Sequence, residues 1–114
     1  MLPKELRLKK RSAFNATYKT GKSFHNDGIT MFCGRKNEMR HPTKAGFVVS
    51  KKIHKRAVKR NRIKRLMRES YRLFVKNNGT PEKYMSVIFV ASTKLLNKDF
   101  KFIDTAILKL VEKL

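Results

Sequence analysis

The sequence predicts an α+β fold: one compact domain in which helices pack on a small mixed sheet, in the order α-β-β-β-α-β-α. Three observations carry that prediction. Apolar residues recur at helical spacing over about 57–76 and again beyond residue 97, short β-rich runs stand between them, and no repeat, Gly/Ser linker or low-complexity tract divides the chain. A length of 114 residues suits a single domain, taken here as 1–114 and opening with a basic arm over 1–11.

Behind the arm, Ser12 is placed to cap a short helix over about 13–20, with Ala13, Ala16 and Thr17 on one side and Gly21 positioned to end it. Phe14 and Tyr18, four residues apart, project from one helical face, a placement that serves a buried core as well as a binding surface. From 23 to 34 the pattern becomes extended and reads as strand. Ile29, Met31 and Cys33 alternate there with Thr30 and Phe32, which puts Phe32 on the opposite sheet face. The polar stretch 35–43 reads as a loop, and Ala45-Gly46-Phe47-Val48-Val49-Ser50 as a second well-defined strand.

The clearest helix covers about 57–76, where Ile63, Leu66, Met67, Ser70, Tyr71 and Phe74 fall on one face at about 100° per residue. Asn61, Arg65, Arg68 and Arg72 lie opposite them. The cluster from Asn77 to Pro81 ends this helix, and 85–91 then reads as a buried strand because Val87-Ile88-Phe89-Val90 is continuously apolar. Asn97 caps the last predicted helix, whose stripe is Phe100, Ile103, Ile107, Leu110, Val111 and Leu114.

Composition points to a polyanionic partner. Lys plus Arg number 29 against 8 Asp plus Glu, a formal charge of +21, while the 40% hydrophobic content is enough to build a core and argues against a disordered basic tail. The single Cys33 offers no internal disulfide, no apolar run reaches the length of a membrane span, and Met-Leu-Pro-Lys-Glu lacks the form of a secretory signal, so the cytoplasm is the expected compartment. Catalytic constellations are thin. His25, His41 and His54 show no metal-pairing spacing, and acids such as Asp27, Glu38, Glu69, Asp99 and Asp104 are too scattered for a two-metal nuclease.

Between 50 and 72 stand eleven Lys or Arg and a single acid, Glu69. A helix face that merely meets water usually alternates in sign to gain i,i+4 pairs, whereas here Arg65 is followed by Arg68 and Arg72. Lys59 and Arg60 occupy the first turn, where the helix dipole disfavours cations by roughly 0.3–1 kcal/mol each. Bound phosphate would reverse that penalty, and arginine's planar fork suits bidentate phosphate contact. Sulfate or phosphate is accordingly expected to steady the fold.

The run Ser50-Lys51-Lys52, Arg60-Asn61-Arg62-Ile63-Lys64-Arg65 and Arg68-Glu69-Ser70 resembles the signature of the bacterial ribonuclease P protein component. Arg7-Leu8-Lys9-Lys10, Phe14, Tyr18, Gly21 and Phe32 extend the resemblance over nearly the whole chain, while the spacer Ile53-His54-Lys55-Arg56-Ala57-Val58 departs from a Gly-Asn form common in that family. The resemblance implies a ribosomal protein S5 domain 2-like fold with a left-handed strand-helix-strand crossover, against the general right-handed rule. It also implies an accessory subunit of a ribonucleoprotein endonuclease, in which a catalytic RNA holds the Mg²⁺ ions and the protein carries no catalytic residue and binds the 5′ leader of precursor tRNA. By that resemblance Arg60, Asn61, Arg62, Lys64, Arg65 and Arg68, with Arg72 on the same helix, face the catalytic RNA. Phe14, Tyr18, Phe32, Lys51 and Lys52 line a leader cleft over the sheet, in keeping with the aromatic platforms and basic grooves that hold single strands. The competing expectations are a ribosomal or other structural RNA-binding protein, an unaided nuclease, and a DNA-binding repressor, the last weakened by the lack of a short helix and turn before the basic helix.

Overall fold

The computed structural model describes residues 2–39 and 41–114; Met1 and, within the loop expected over 35–43, Arg40 lie outside the described residues. Three helices and four strands follow one another as α1 (Arg11–Lys19), β1 (Lys22–Asn26), β2 (Ile29–Cys33), β3 (Lys44–Val48), α2 (Ala57–Asn78), β4 (Ser86–Ala91) and α3 (Phe100–Val111). This is the expected α-β-β-β-α-β-α order. The extended stretch 23–34 resolves into a hairpin, because Asp27 (φ 47°) and Gly28 (φ 88°) both take the left-handed conformation of a tight two-residue turn.

The sheet order is β1-β2-β4-β3, antiparallel except that β3 and β4 run parallel. α2 is therefore the crossover between two adjacent parallel strands, the unit to which the handedness expectation applies. Register assigns the two sheet faces. Ile29, Met31 and Cys33 stand beside Ala91, Phe89 and Val87, and Ala45 and Phe47 extend the rows on β3. Against this inner face α2 buries Ile63, Met67, Ser70 and Tyr71, and α3 buries Ile103, Ala106, Ile107, Leu110 and Val111. Each large apolar side chain so buried contributes about 1.5–3 kcal/mol. The Ser70 hydroxyl donates to Asp104 Oδ1 at 2.6 Å, fastening the two helices to each other. Among the described residues no helix is long and apolar enough to cross a membrane.

Two local expectations, both about helix caps, are corrected. Ser12 does not cap α1: the helix starts earlier, with Lys10 at the cap position and no side-chain cap bond. Tertiary contacts fix it instead, since Thr17 is buried and its hydroxyl shares a hydrogen bond of 2.6 Å with Ser86 on β4. Asn97 does not cap α3 either. A 3-10 turn over Thr93–Leu95 precedes it, Asn97 takes a left-handed conformation (φ 66°), and Asp99 becomes the cap, accepting from Phe102 N at 3.0 Å. The basic arm is tied down: Leu2 and Leu6 are buried in the core, and Leu8 N donates to Ala45 O at 2.9 Å along the β3 edge. Covering that edge removes a strand otherwise open to pairing.

Candidate nucleic-acid interface

Two cross-strand rows form the outer face of the sheet. One is Ser23, Phe32, Ile88 and Gly46; the next is His25, Thr30, Val90 and Val48. α1 crosses the first row. Tyr18 meets Phe32 edge-on with centroids 5.0 Å apart, and the Phe14 ring lies so close over Gly46 that a Cβ there would stand 2.7 Å from it. Ile88 is fully buried in this row, outside the main core cluster. The second row is left open enough that Thr30, Val90 and Val48 are half-buried and His25 is exposed, its Nδ1 hydrogen-bonded to Thr30 Oγ1 at 3.0 Å. The result is a shallow trough with an aromatic wall and a mixed polar and aliphatic floor.

The sequence-derived aromatic set is thus gathered: Tyr18 and Phe32 touch, and Phe14 stands one turn before Tyr18 on the same helix. Lys51 and Lys52 are exposed in the turn that follows β3, where Ser50 O and Oγ accept from Ile53 N and Lys52 N. They stand at the Val48 end of the open row. His25, Thr30, Val48 and Val90 were not singled out from the sequence. His25 and Thr30 face each other across the β1–β2 hairpin, but the addition of Val90 and Val48 to their row depends on register between strands far apart in the chain, which no local pattern displays.

α2 presents its basic residues in three ways. Asn61 and Arg65 are exposed on its outer face. Lys64 and Arg68 turn toward the β3 edge, where with Arg7, Leu8, Phe14 and Gly46 they line a cavity of about 210 Å³. The helix thereby shares a boundary with the aromatic wall, and the two sequence-derived groups of residues are contiguous there. Arg60 and Arg62 are partly engaged: Arg60 Nη1 donates to His54 O (3.0 Å) and Lys55 O (2.9 Å), and Arg62 Nη2 to Lys98 O (2.9 Å). Arg60 so pulls the divergent spacer onto the start of the helix, and each guanidinium keeps further donors free.

Arg72 differs from the others. It grips Glu69 one turn back, Nη2 to Oε1 at 2.6 Å and Nε to Oε2 at 3.1 Å, and the hydrogen-bonding guanidinium holds the Glu69 carboxyl below its ordinary value. Expected among the free cations, Arg72 is largely neutralised by its own chain. Among the described residues only one other ion pair occurs, Lys94 with Asp27 at 3.6 Å. The cations from Lys51 to Arg68 therefore have no carboxylate within bonding reach, and the first turn of α2 holds no acid and no side-chain cap. Such a surface is arranged for anions. Among the described residues no three His, Cys, Asp or Glu side chains gather as a metal site would require.

Comparison with known proteins gives one consistent match. The sequence profile of the Ribonuclease P family covers residues 2–114. The ribonuclease P protein component of Clostridioides difficile is 38% identical over 106 residues, spanning 93% of this chain and 89% of that one. That of Clostridium novyi is 34% identical over 112 residues, spanning 98% and 96%. Among solved structures, the RNase P protein of Staphylococcus aureus superposes with a TM-score of 0.78 at 28% identity, over 96% of this chain and 95% of that one. The Thermotoga maritima RNase P protein gives 0.76 at 30% identity, over 95% and 96%.

Proposed function

The chain belongs to the ribonuclease P protein family, and from that premise we propose that it is the RNA-binding subunit of the ribonucleoprotein that removes the 5′ leader from precursor tRNA. Hydrolysis is assigned to the RNA partner, which holds the Mg²⁺ ions; this chain binds, orients and screens charge in the cytoplasm. On α2, Asn61, Lys64, Arg65 and Arg68 meet the catalytic RNA directly, and Arg60 and Arg62 do so with the donors their backbone contacts leave over. The leader runs along the trough, its bases against Phe14, Tyr18 and Phe32 and its phosphates toward Lys51 and Lys52.

The observation that carries this reading is that, among the described residues, none of the cations from Lys51 to Arg68 forms an ion pair with a carboxylate. A helix that concentrates charge without neutralising it is stabilised when phosphates arrive, and each phosphate neutralised adds about 0.9 to the slope of log affinity against log salt. The aromatic wall then supplies stacking of roughly 1–3 kcal/mol per base. Lys64 and Arg68 lie at the meeting of the two surfaces, which supports a leader held beside the catalytic RNA.

The test is reconstitution. Precursor tRNA, a ribonuclease P RNA from a relative and low Mg²⁺ are combined with and without the chain. Faster leader removal only when it is present is the expected outcome. RNA binding without stimulation would instead indicate a ribosomal or other structural RNA-binding protein, and cleavage by the chain alone an unaided nuclease.

A further inference from the structure

A second cluster of cations lies away from both surfaces. Lys22 at the start of β1, Lys83 just before β4 and Lys113 after α3 come from three separate parts of the chain and share two aromatic rings. Lys22 Nζ lies 5.2 Å from the Tyr84 ring centroid and 6.0 Å from that of Phe24; Lys83 Nζ is 5.6 Å from Tyr84, and Lys113 Nζ is 5.9 Å from Phe24. Lys83 Nζ also donates to Lys113 O at 3.3 Å, joining two of the segments. Glu82 and Glu112 are neighbours in sequence, yet among the described residues neither makes an ion pair with any of the three. Ring faces and the C-terminal end of α3 tolerate the ammonium groups in place of carboxylates. The charges are therefore pre-assembled and still unneutralised.

Position sets this cluster apart. Because β3 and β4 are parallel, α2 runs back along the sheet, and Lys83 follows its C-terminal end while Lys51, Lys52 and Arg60 stand at its N-terminal end. The 22 residues of α2 span about 33 Å, most of the 39 Å long dimension of the molecule.

Resting on the RNA-binding reading above, we propose that Lys22, Lys83 and Lys113 form a separate contact for an RNA phosphodiester backbone, reached by a strand or duplex long enough to pass from one end of α2 to the other. A phosphate backbone fits the cluster better than a lipid surface, because Tyr84 is buried and Phe24 half-buried, so neither of the rings that gather the lysines is free to insert.

The full chain and its Lys22→Gln/Lys83→Gln/Lys113→Gln variant are titrated against a short RNA hairpin and against one whose stem exceeds the length of α2, across a series of KCl concentrations. The triple variant is expected to lower the salt slope by about 2–3 with the long hairpin and to leave the short one unchanged. Arg65→Ala should lower the slope with both, which reports on α2 independently. An unchanged long-hairpin slope in the triple variant, with Arg65→Ala still effective, overturns the second contact and spares the α2 reading. Binding to phosphatidylserine vesicles that the triple variant loses, with RNA slopes intact, overturns it in favour of a lipid surface. Acetylation footprinting of the unmodified chain gives a readout free of folding effects: the long hairpin should protect all three lysines, and their continued reactivity while Lys64 is protected refutes the proposal.

Discussion

Replacing Glu69 with Gln tests whether α2 binds through unneutralised charge. Arg72 is held by Glu69 through two hydrogen bonds of 2.6 and 3.1 Å, with side chains 30% and 42% exposed. A pair this open to solvent contributes little to stability, so Glu69→Gln should leave the unfolding midpoint almost unmoved. Its effect on RNA binding is larger, since the change removes an anion and releases the guanidinium. If the freed Arg72 meets one phosphate, the slope of log affinity against log salt steepens by about 0.9. The converse substitutions fix the scale: Arg65→Ala removes an exposed, unpaired cation and should flatten the slope by about 0.9, whereas Arg72→Ala removes one already neutralised and should flatten it by much less. Fluorescence anisotropy of a labelled RNA titrated at several KCl concentrations yields all the slopes. Equal losses for Arg72→Ala and Arg65→Ala, or a flat response to Glu69→Gln, would refute the reasoning. Acid offers a parallel check with a determined sign. Because Arg72 depresses the Glu69 carboxyl, the pair is intact above the ordinary carboxylate range and is lost as pH falls through the lowered value.

Three further outcomes follow from buried groups. Tyr71 is fully buried with a hydroxyl that finds no hydrogen-bond partner among the described residues, and burial pushes its phenol well up, so Tyr71→Phe should raise the unfolding free energy by about 1 kcal/mol; a lower urea midpoint would show that the hydroxyl is satisfied. Gly46→Ala sets a methyl 2.7 Å from the Phe14 ring and should displace it, reducing the preference for precursor over mature tRNA while the salt slope set by α2 holds; an unaltered preference would remove Phe14 from the trough. Asp99→Ala should cost about 1 kcal/mol as the true cap of α3, whereas Asn97→Gly, at a left-handed position, should be nearly neutral, and a reversed order in urea midpoints would restore Asn97 to the role.

Much of this architecture is visible in the residues themselves because α2, β4 and α3 are strongly periodic, and burial follows their stripes at Ile63, Met67, Tyr71, Ile103 and Ile107. Element ends were less legible. Ser12 and Asn97 have good capping chemistry, but helix starts are also set by what precedes them: Arg7 and Leu8 are drawn to β3, and a 3-10 turn shifts the start of α3 past Asn97. In the candidate site the basic helix is legible from its charge pattern, whereas the aromatic trio is named only through the family resemblance, and the structure sets Tyr18 against Phe32. The joining of Phe14 to Lys64 and Arg68 round the β3 edge could not be, because it depends on the apolar anchors Leu2 and Leu6 hidden inside a segment whose composition looks merely basic. Arg72 and Glu69 stand at i,i+3, a spacing open to inspection, yet nothing in the sequence says whether such a pair closes or opens toward a ligand.

The parallel pairing of β3 with β4 also bears on how the chain reaches its native state. Ala45 stands beside Val87 and Phe47 beside Phe89, so closing the sheet means bringing together strands some forty residues apart, with the crowded cations of α2 lying between them. Any polyanion that quiets their mutual repulsion lowers the free-energy barrier to this closure. The nucleic acid would then act as a chaperone, hastening maturation of the molecule that later serves it, and the refolding rate should climb with polyanion concentration before the unfolding rate responds.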